Sequence, residues 1–385
     1  MTILVTGARG FVGRNLVQAL RLRNDVDLCE YDLGFPERQL WDAMDRADAI
    51  VHLAGVNRPV TTEEYETGNA GFTREICKRL LSAGRAPAIL FASSTQADRD
   101  NPYGVSKRHA EESLREFSDA TGARVTIFRW TNLFGKWCRP NYNSVTATFC
   151  HNIARGLPIQ ISDPSREIEL AYIDDVVAGL LAALDKDNGG ERVALVRVQP
   201  TYRATLGALA ATVQSFRDSR TTLKLPDLGD RFIRCLYATY LSYLPEGDFA
   251  YPLDIKRDNR GELAEFLKSP TMGQIFISRT KPGVTRGNHF HHTKAEKFLV
   301  LQGDAAIRFR HIESNDVITY RVSGKDFRVL DIPPGYTHSI ENVGAEEMVV
   351  LFWASEIFDP HNPDTYASEV LQGTTNHEIH EIHEK

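Results

Sequence analysis

Tyr103 and Lys107 are four residues apart, a spacing that puts both side chains on one face of a helix. A tyrosine has an unperturbed pKa of about 10, which makes it a poor acid or base at neutral pH, but a lysine ammonium beside it, together with the positive ring of a cofactor, lowers that pKa. Ser94 ends an apolar, strand-like run upstream, where its hydroxyl can hydrogen-bond a substrate oxygen. These three side chains are the predicted catalytic residues, because together they can polarise a carbonyl group while a hydride arrives.

A glycine-rich segment at residues 6–13 follows the first strand-like run and opens a helix. Its first glycine permits a tight turn, its second lets the backbone approach a pyrophosphate, and its third lets the helix pack on the strand. The N-terminus of the helix attracts phosphate groups. The segment therefore predicts dinucleotide binding by Gly7, Gly10, Phe11, Val12 and Gly13.

Asp32 is the next candidate for contact with a dinucleotide, since it lies 19 residues after Gly13 at the end of the following strand. An acid at this place commonly binds the ribose hydroxyls of adenosine and favours NAD(H). A solvated turn aspartate is the alternative interpretation. Arg9, Arg14 or Arg38 could instead meet the extra phosphate of NADP(H), so these residues leave the choice of cofactor open.

A second reactive group lies in the last third of the chain. His289 and His291 are two residues apart, so a strand directs both side chains to one face. Glu296 and His338 can converge on them from neighbouring strands. Three imidazoles and a carboxylate suit a first-row divalent metal, and we predict these four residues as its ligands. Zinc, iron, manganese and nickel all fit such a set, and zinc is the metal we favour.

The two sets of reactive residues lie in parts of the chain with different sequence patterns. Up to about residue 245, strand-like runs such as 88–92 alternate with helical runs such as 104–121, which is typical of a parallel sheet with helices on both faces. From Arg257 on, short strands separated by Gly, Pro and Asn-Asp turns indicate an all-β barrel. We predict an α/β Rossmann-type, doubly wound domain at 1–245, an all-β domain at 246–370 and a flexible tail at 371–385.

Composition narrows the class of protein. The formal net charge of −6 argues against a nucleic-acid binder, which usually carries a strong basic patch. Apolar runs such as residues 348–354 are too short to span a bilayer, and we expect no secretory signal before the first strand. The five cysteines show no paired spacing, which is typical of reduced thiols in a protein from a reducing compartment. We expect a cytoplasmic enzyme that has neither nucleic acid nor membrane as a partner.

The first stretch resembles the extended short-chain dehydrogenase/reductase family in its glycine segment and in Ser94, Tyr103 and Lys107. The segment at 52–55 is similar to the family's third-strand motif beside the cofactor, and an asparagine follows on the next helix. The resemblance implies a nucleotide-diphosphate sugar as substrate. It also implies that Asn132 binds the substrate, with turn formation as the alternative, and that the cofactor is contacted by His52, Leu53, Ala54, Gly55 and Asn69.

The second stretch resembles the cupins, whose two motifs match between Gly283 and Asn342, although Phe327 stands where the second motif usually starts with glycine. It also looks like the metal-free sugar-nucleotide 3,5-epimerases, which are cupins too. In those enzymes the histidine matching His289 is a catalytic base and the arginine matching Arg286 binds phosphate. The resemblance therefore implies a substrate-binding Arg286, and it leaves open whether His289 is a ligand or a base.

Taken whole, the chain resembles the CapF family of bacterial capsular polysaccharide enzymes, in stretches that include 52–59, 129–138 and 287–294. The resemblance implies a UDP-amino-sugar substrate, a UDP-2-acetamido-2,6-dideoxy-4-hexulose. The cupin would epimerise its carbon 3. The reductase would reduce its carbon 4 ketone with NADPH, giving a UDP-N-acetyl-L-talosamine-type sugar on the route to UDP-N-acetyl-L-fucosamine. Asp32 departs from the pattern of the family and argues against its preference for NADPH. The alternative function is a short-chain reductase or epimerase of a UDP-sugar, in which the cupin is a structural or product-binding module that dimerises the protein. We expect a homodimer or higher homo-oligomer.

Overall fold

The structure is a computed structural model that describes residues 1–185 and 191–371 and the backbone of 380–381. The chain packs as two compact units. One comprises Met1–Gln214 and Arg231–Glu246, and the other comprises Ser215–Asp230 and the chain from Gly247 onward. The division into domains at residue 245 stays a prediction. In the predicted tail, residues 372–379 and 382–385 lie outside the described part of the chain.

Strands and helices alternate through the first part of the chain. The strands are β1 (Thr2–Thr6), β2 (Asp27–Tyr31), β3 (Ala49–His52), β4 (Ala88–Ser94), β5 (Val125–Trp130), β6 (Asn132–Phe134), β7 (Glu167–Tyr172), β8 (Val193–Val196) and β9 (Thr201–Thr205). The helices are α1 (Phe11–Arg21), α2 (Glu37–Met44), α3 (Glu63–Tyr65), α4 (Phe72–Ser82), α5 (Pro102–Thr121), α6 (Val145–Ala154), α7 (Ile173–Asp185), α8 (Leu206–Thr222) and α9 (Arg231–Leu241). A π-helical segment, Glu66–Gly71, joins α3 to α4, and 3-10 turns cover Thr95–Asp98 and Glu246–Asp248.

Six of these strands form a parallel sheet in the order β2-β1-β3-β4-β5-β8. The chain moves outward from β1 to β2 and then returns to the other side of β1 with β3, so the direction of winding reverses between β1 and β3. In such sheets ligands bind beyond the carboxyl ends of the strands at this reversal. A smaller sheet has the order β6-β7-β9.

Alternate residues of the parallel sheet face two separate cores. Ile3 and Val5 of β1 pack in one cluster with Leu16 of α1, whereas Leu4 packs in the other with Leu114 of α5. Because successive side chains of a strand point to opposite faces, this division shows helices covering both sides of the sheet.

From Ile255 onward, the described part of the second unit is built from β-strands. They are β10 (Ile255–Asp258), β11 (Gly261–Ser269), β12 (Gly273–Thr280), β13 (Thr285–Phe290), β14 (Glu296–Gln302), β15 (Asp304–His311), β16 (Val317–Ser323), β17 (Val329–Ile332), β18 (Tyr336–Asn342), β19 (Met348–Ala354), β20 (Tyr366–Ala367) and β21 (His380–Glu381). They form two sheets, β10-β11-β12-β19-β14-β17 and β20-β13-β18-β15-β16-β21. Val300 and Phe352 of one sheet share a buried cluster with Ile307 and Ile340 of the other, so the sheets enclose one core.

This architecture confirms the predicted fold class, a Rossmann-type parallel sheet followed by a cupin-like barrel. Phe327, the departure from the second cupin motif, has a φ of 45° in the turn before β17 and is 67% exposed. It therefore occupies the left-handed conformation that glycine adopts at least cost. No described helix is both long enough and apolar enough to cross a membrane.

Two candidate active sites

The glycine segment between β1 and α1 folds as a cradle for an anion. Gly7 has a φ of 71°, and a Cβ there would lie 2.7 Å from the backbone nitrogen of Ala54. A Cβ on Gly13 would collide with the carbonyl oxygen of Gly7, so α1 packs directly on the loop. Gly10 begins the helix without a capping hydrogen bond from any described side chain. The first-turn amides of Phe11 and Val12 thus suit the pyrophosphate of a dinucleotide.

Asp32 lies at the rim of this cradle. Its carboxylate accepts hydrogen bonds from the backbone nitrogens of Arg9 at 2.5 Å and Leu33 at 2.7 Å. The guanidinium of Arg9 stacks over the ring of Phe35, 4.4 Å from the ring centroid. A carboxylate and a guanidinium are therefore both close to the end of β2, and they would have opposite effects on a 2′-phosphate.

His52, at the end of β3, is buried between two hydroxyls. Its Nδ1 lies 2.7 Å from Thr6 Oγ1 and its Nε2 lies 3.1 Å from Thr73 Oγ1. Burial, with a smaller contribution from Lys107, lowers the pKa of His52 to about 3, so the ring is neutral. His52 thus ties β1 and β3 to α4. Leu53, partly buried against the first core, follows it into the loop.

Gly55 and Asn69 bring that loop to the catalytic helix. A Cβ on Gly55 would lie 2.7 Å from Asn69 Oδ1 and 3.1 Å from Lys107 Nζ. Asn69, in the π-helical segment, accepts from the backbone nitrogen of Val56 at 2.9 Å and donates to Ser106 Oγ at 3.0 Å. Such π-helical turns are frequent at functional sites. Gly55, Asn69 and Lys107 are therefore brought together, although Lys107 is 52 residues from Gly55.

Ser94, Tyr103 and Lys107 meet where β4 ends and α5 begins. Burial raises the pKa of Tyr103 to about 12, and the hydrogen bond with Ser94 offsets only part of the rise. Burial also lowers the pKa of Lys107 to about 8, against the opposing charge of Glu111. Lys107 Nζ donates to the carbonyl of Ala92 at 3.0 Å and lies 5.9 Å from the centroid of the Tyr103 ring. Desolvation of the phenolate thus dominates the pKa of Tyr103 in this structure, and the expectation that Lys107 and the cofactor's positive ring together lower it stays a prediction.

A buried ion pair that the sequence analysis missed supports this helix. Glu111, one turn after Lys107 on α5, accepts from Arg129 Nε at 2.9 Å and Nη2 at 2.6 Å, and from the hydroxyl of Ser93. Arg129 is also paired with Asp98. The network joins α5 to β4 and β5 beside the catalytic residues. The signal that could have found Glu111 in the sequence is the spacing of four residues that runs from Tyr103 through Lys107 to Glu111.

Asn132, the predicted substrate-binding residue, is exposed just beyond β5. Its Nδ2 donates to the carbonyl oxygen of Glu169 at 3.0 Å. Among the described contacts, none joins it to the three predicted catalytic side chains. The hydrogen bond holds Asn132 in the β6-β7 ladder, so its role in binding stays a prediction.

The four predicted metal ligands converge in the barrel. One ligand atom from each of His289, His291, Glu296 and His338 can be chosen so that all lie within 4.8 Å of one another. The Nε2 atoms of His291 and His338 are buried and have no hydrogen-bond partner among the described residues. They lie 3.3 Å and 3.4 Å from Glu296 Oε2, without hydrogen-bond geometry. Two orphaned imidazole nitrogens facing a carboxylate fit a divalent metal.

The charges of this cluster also suit a metal. Burial and the neighbouring imidazoles lower the pKa of His289 to about 4, so its ring is neutral and can coordinate. Burial by itself raises the pKa of Glu296, but His291 and His338 outweigh it and bring the pKa to about 2. His289 therefore offers a neutral nitrogen donor and Glu296 an ionised oxygen donor, as divalent first-row metals require. Burial by itself lowers the pKa of His291, but the contacts with Glu296 and Asp364 outweigh it and raise that pKa instead.

A bulge in β13 determines where Arg286 points. Arg286 pairs with Ile340 of β18 and His289 pairs with His338, with the register shifting between Gly287 and His289. Residues directly opposite in an antiparallel pair share a face, and His338 and Ile340 are two apart, so Arg286 and His289 face the same side. Without the bulge, an odd spacing would put them on opposite faces. Arg286 donates to Thr280 Oγ1 at 2.9 Å, near the interior of the barrel. Its role in binding the substrate stays a prediction.

Comparison with known proteins agrees with this architecture. The NAD dependent epimerase/dehydratase family matches residues 3–196, and the polysaccharide biosynthesis C-terminal domain matches residues 256–366. The UDP-2-acetamido-2,6-beta-L-arabino-hexul-4-ose reductase of Pseudomonas aeruginosa is 45% identical over 373 residues, which cover 97% of this chain and 100% of that protein.

Solved structures and a plant relative extend the comparison. The capsular polysaccharide assembling protein CapF from Staphylococcus aureus has 47% identity and a TM-score of 0.88, over 96% of this chain and 100% of that chain. UDP-glucuronate 4-epimerase 1 of Arabidopsis thaliana is 31% identical over 241 residues, 48% of this chain and 55% of that protein. The chain therefore belongs to the NAD dependent epimerase/dehydratase family and, within it, to the CapF-type proteins that carry the polysaccharide C-terminal domain. The predicted resemblance to CapF is confirmed.

Proposed function

We propose that the chain is a bifunctional nucleotide-sugar enzyme of capsular polysaccharide synthesis. In the proposal, the barrel epimerises carbon 3 of a UDP-2-acetamido-2,6-dideoxy-4-hexulose. The first unit reduces the carbon 4 ketone to a UDP-N-acetyl-L-talosamine-type sugar on the route to UDP-N-acetyl-L-fucosamine. The observation that carries the reductase half is the full-length similarity to a hexulose reductase together with the grouping of Ser94, Tyr103 and Lys107.

In the reduction, the glycine segment between β1 and α1 would hold a nicotinamide cofactor, which would supply the hydride for carbon 4. The Tyr103 hydroxyl donates the proton to the ketone oxygen, and the Ser94 hydroxyl hydrogen-bonds the same oxygen. A phenol whose pKa lies near 12 keeps its proton at neutral pH, which suits the direction of reduction. Lys107 presents a buried ammonium beside the developing phenolate and stabilises it.

For the epimerisation, His289, His291, Glu296 and His338 would hold a divalent metal. The metal would supply electrophilic stabilisation of the enolate while the proton on carbon 3 is removed and then returned from the opposite face. Arg286 lies on the same face as His289 and would bind a phosphate of the substrate. Epimerisation must precede reduction, because the ketone makes that proton acidic. His289 is proposed as a ligand, since its ring touches both His291 and His338 at centroid distances of 4.9 Å and 4.6 Å.

The preferred cofactor in this proposal is NADPH, with Arg9 beside the cradle as the group that attracts its extra phosphate. Asp32 opposes that choice, because its carboxylate would repel the phosphate. The ratio of kcat/KM for NADPH and NADH tests it. An NADH preference of tenfold or more, about 1.4 kcal/mol, would overturn the proposal of NADPH. Zinc and a homo-oligomer are likewise proposed; elemental analysis and light scattering test them.

The two activities are tested separately with the 4-keto sugar in deuterated water. Wild-type protein without reduced cofactor should place deuterium at carbon 3, and absence of deuterium would refute the epimerase half. Tyr103→Phe should lower reduction by roughly 10²-fold or more, the size of a general-acid contribution, while exchange continues. His338→Ala should stop exchange and still reduce an already epimerised ketone. If His338→Ala exchanges normally, the barrel is a structural or product-binding module instead.

A further inference from the structure

The segment at residues 363–370, called here the C-terminal strap, lies against the strands that carry the four clustered side chains. Its short strand β20 pairs with β13, with Ala367 opposite His289 and Tyr366 opposite Phe290. Arg310 of β15, which is 4% exposed, holds the end of the strap by donating to the carbonyls of Glu369 at 2.9 Å and Val370 at 3.3 Å. The strap is thus part of the barrel wall beside the cluster.

Asp364 of the strap holds the loop that connects His291 to Glu296. Its carboxylate accepts from three successive backbone nitrogens: His292 at 3.0 Å, and Thr293 and Lys294 at 2.9 Å each. The Thr293 hydroxyl donates to the same carboxylate at 3.0 Å. These charge-assisted hydrogen bonds hold the connection between β13 and β14, which carries His291 at its start and leads into Glu296.

The backbone of Asp364 acts on His291 directly. Its carbonyl oxygen lies 2.5 Å from His291 Nδ1, so Nδ1 donates to it, and in the neutral ring that a metal requires the free lone pair is on Nε2. Nε2 is the buried, unpartnered nitrogen that lies 3.3 Å from Glu296 Oε2. The strap therefore determines both the tautomer and the orientation of this imidazole.

The strap also reaches the neighbours of the other two histidines. The backbone nitrogen of Ser368 donates to the carbonyl of Asn288 at 2.9 Å, next to His289 in the bulge. The Thr337 hydroxyl donates to the carbonyl of Ser368 at 2.6 Å, next to His338. A single segment of eight residues thus contacts the chain at or beside His289, His291 and His338.

We propose that the C-terminal strap is the outer layer of the metal site and that Asp364 is its main positioning residue. Hydrogen-bond partners of this kind orient metal ligands, and their loss typically weakens metal binding by about 10–100-fold. The inference rests on the proposed function in one respect, namely that the cluster binds a metal. Nothing in it depends on the reaction that the metal serves.

Asp364→Asn is the sharpest test. One carboxylate oxygen accepts from His292 and the other from Thr293 and Lys294, so either orientation of an amide turns its NH₂ group toward an N–H donor. Asparagine tolerates the φ of 38° at this position, so backbone strain is not introduced. Asp359→Asn is the matched control, because the Asp359 carboxylate accepts only from the backbone nitrogen of His361 in its own turn among the described contacts.

The measurement is the affinity of the full-length protein for Zn²⁺, by competition with a chromophoric chelator, and the visible absorption spectrum of the Co²⁺-loaded protein. Asp364→Asn should bind Zn²⁺ about 10–100-fold more weakly and change the Co²⁺ spectrum, whereas Asp359→Asn should match wild type. Equal affinity and spectrum in Asp364→Asn and wild type would overturn the proposal. If wild-type protein itself binds no Zn²⁺ or Co²⁺, the metal site fails, and the inference fails with it.

Thr337→Val provides a second variant if Asp364→Asn does not fold. It removes the 2.6 Å hydrogen bond to Ser368 while keeping the volume of this fully buried side chain. We expect a smaller loss of Zn²⁺ affinity, about threefold to tenfold, since one contact beside His338 is removed instead of four around His291. Unchanged Zn²⁺ affinity in a folded Thr337→Val protein would contradict a positioning role for the strap.

Discussion

Replacing Glu111 with alanine removes the buried carboxylate that supports the catalytic helix. The side chains of Glu111 and Arg129 are 3% and 14% exposed, so the charge left on Arg129 would stay largely inside the protein. Removing one partner of a buried ion pair typically costs about 3–5 kcal/mol. Arg129 retains its contact with Asp98, whose side chain is 54% exposed, so we expect the lower end, a loss of about 3 kcal/mol in the free energy of unfolding.

Urea denaturation followed by tryptophan fluorescence measures this loss. Trp41, Trp130 and Trp137 lie in the first unit, so the signal reports mainly on the unit that contains Glu111. The matched control is Asp42→Ala, because Asp42 pairs with Arg38 on the surface of α2 at side-chain exposures of 66% and 90%. Such pairs contribute little, so the control should stay within about 0.5 kcal/mol of wild type.

A loss below about 1 kcal/mol in Glu111→Ala would refute the reasoning, because it would mean that the pair is effectively hydrated or that Asp98 compensates fully. Glu111→Gln refines the interpretation. It keeps the shape and one acceptor oxygen but removes the charge, so a loss equal to that of alanine would assign the effect to charge, and a smaller loss would assign part of it to hydrogen bonding.

Two further predictions concern single side chains. The folded protein holds the pKa of Lys107 at about 8 against an ordinary value of 10.5, so the unfolded chain binds the extra proton between these pH values and burial destabilises the protein at neutral pH. The unfolding free energy of wild type should therefore rise relative to Lys107→Met from pH 8 to 10.5, by up to roughly 3 kcal/mol, and a flat difference in urea titrations would contradict the buried ammonium. Phe327→Gly should stabilise the protein by up to about 1 kcal/mol in thermal unfolding, because it relieves a left-handed residue, whereas Phe327→Ala, which keeps a Cβ, should give no such gain.

Local patterns predicted the reactive residues because each pattern maps directly onto an element. The spacing of four put Tyr103 and Lys107 on one face of α5, which spans Pro102–Thr121 against a predicted helical run of 104–121. The spacing of two put His289 and His291 on one face of β13 and the turn that follows it. Helix and strand periodicity alone is enough for such inferences.

These patterns could not predict contacts between segments that are distant in the sequence. Asp364 is 73 residues from His291 and lies in an irregular segment, where no periodicity relates it to the barrel. Glu111 and Arg129 belong to different elements, and their pairing depends on how α5 lies on the sheet. The burial that raises the pKa of Tyr103 could not be predicted for the same reason, since it depends on tertiary packing.

Both candidate sites contain buried polar groups that folding alone does not favour. Lys107 is 4% exposed, and burial lowers the pKa of its ammonium to about 8 although the charge of Glu111 opposes the shift. In the barrel, two buried imidazole nitrogens lack hydrogen-bond partners among the described residues, next to an ionised Glu296. Apolar side chains of similar volume would stabilise either site more. Because buried groups of this kind concentrate where chemistry requires them, the unfavourable electrostatics of both sites support the proposal of a function in each unit.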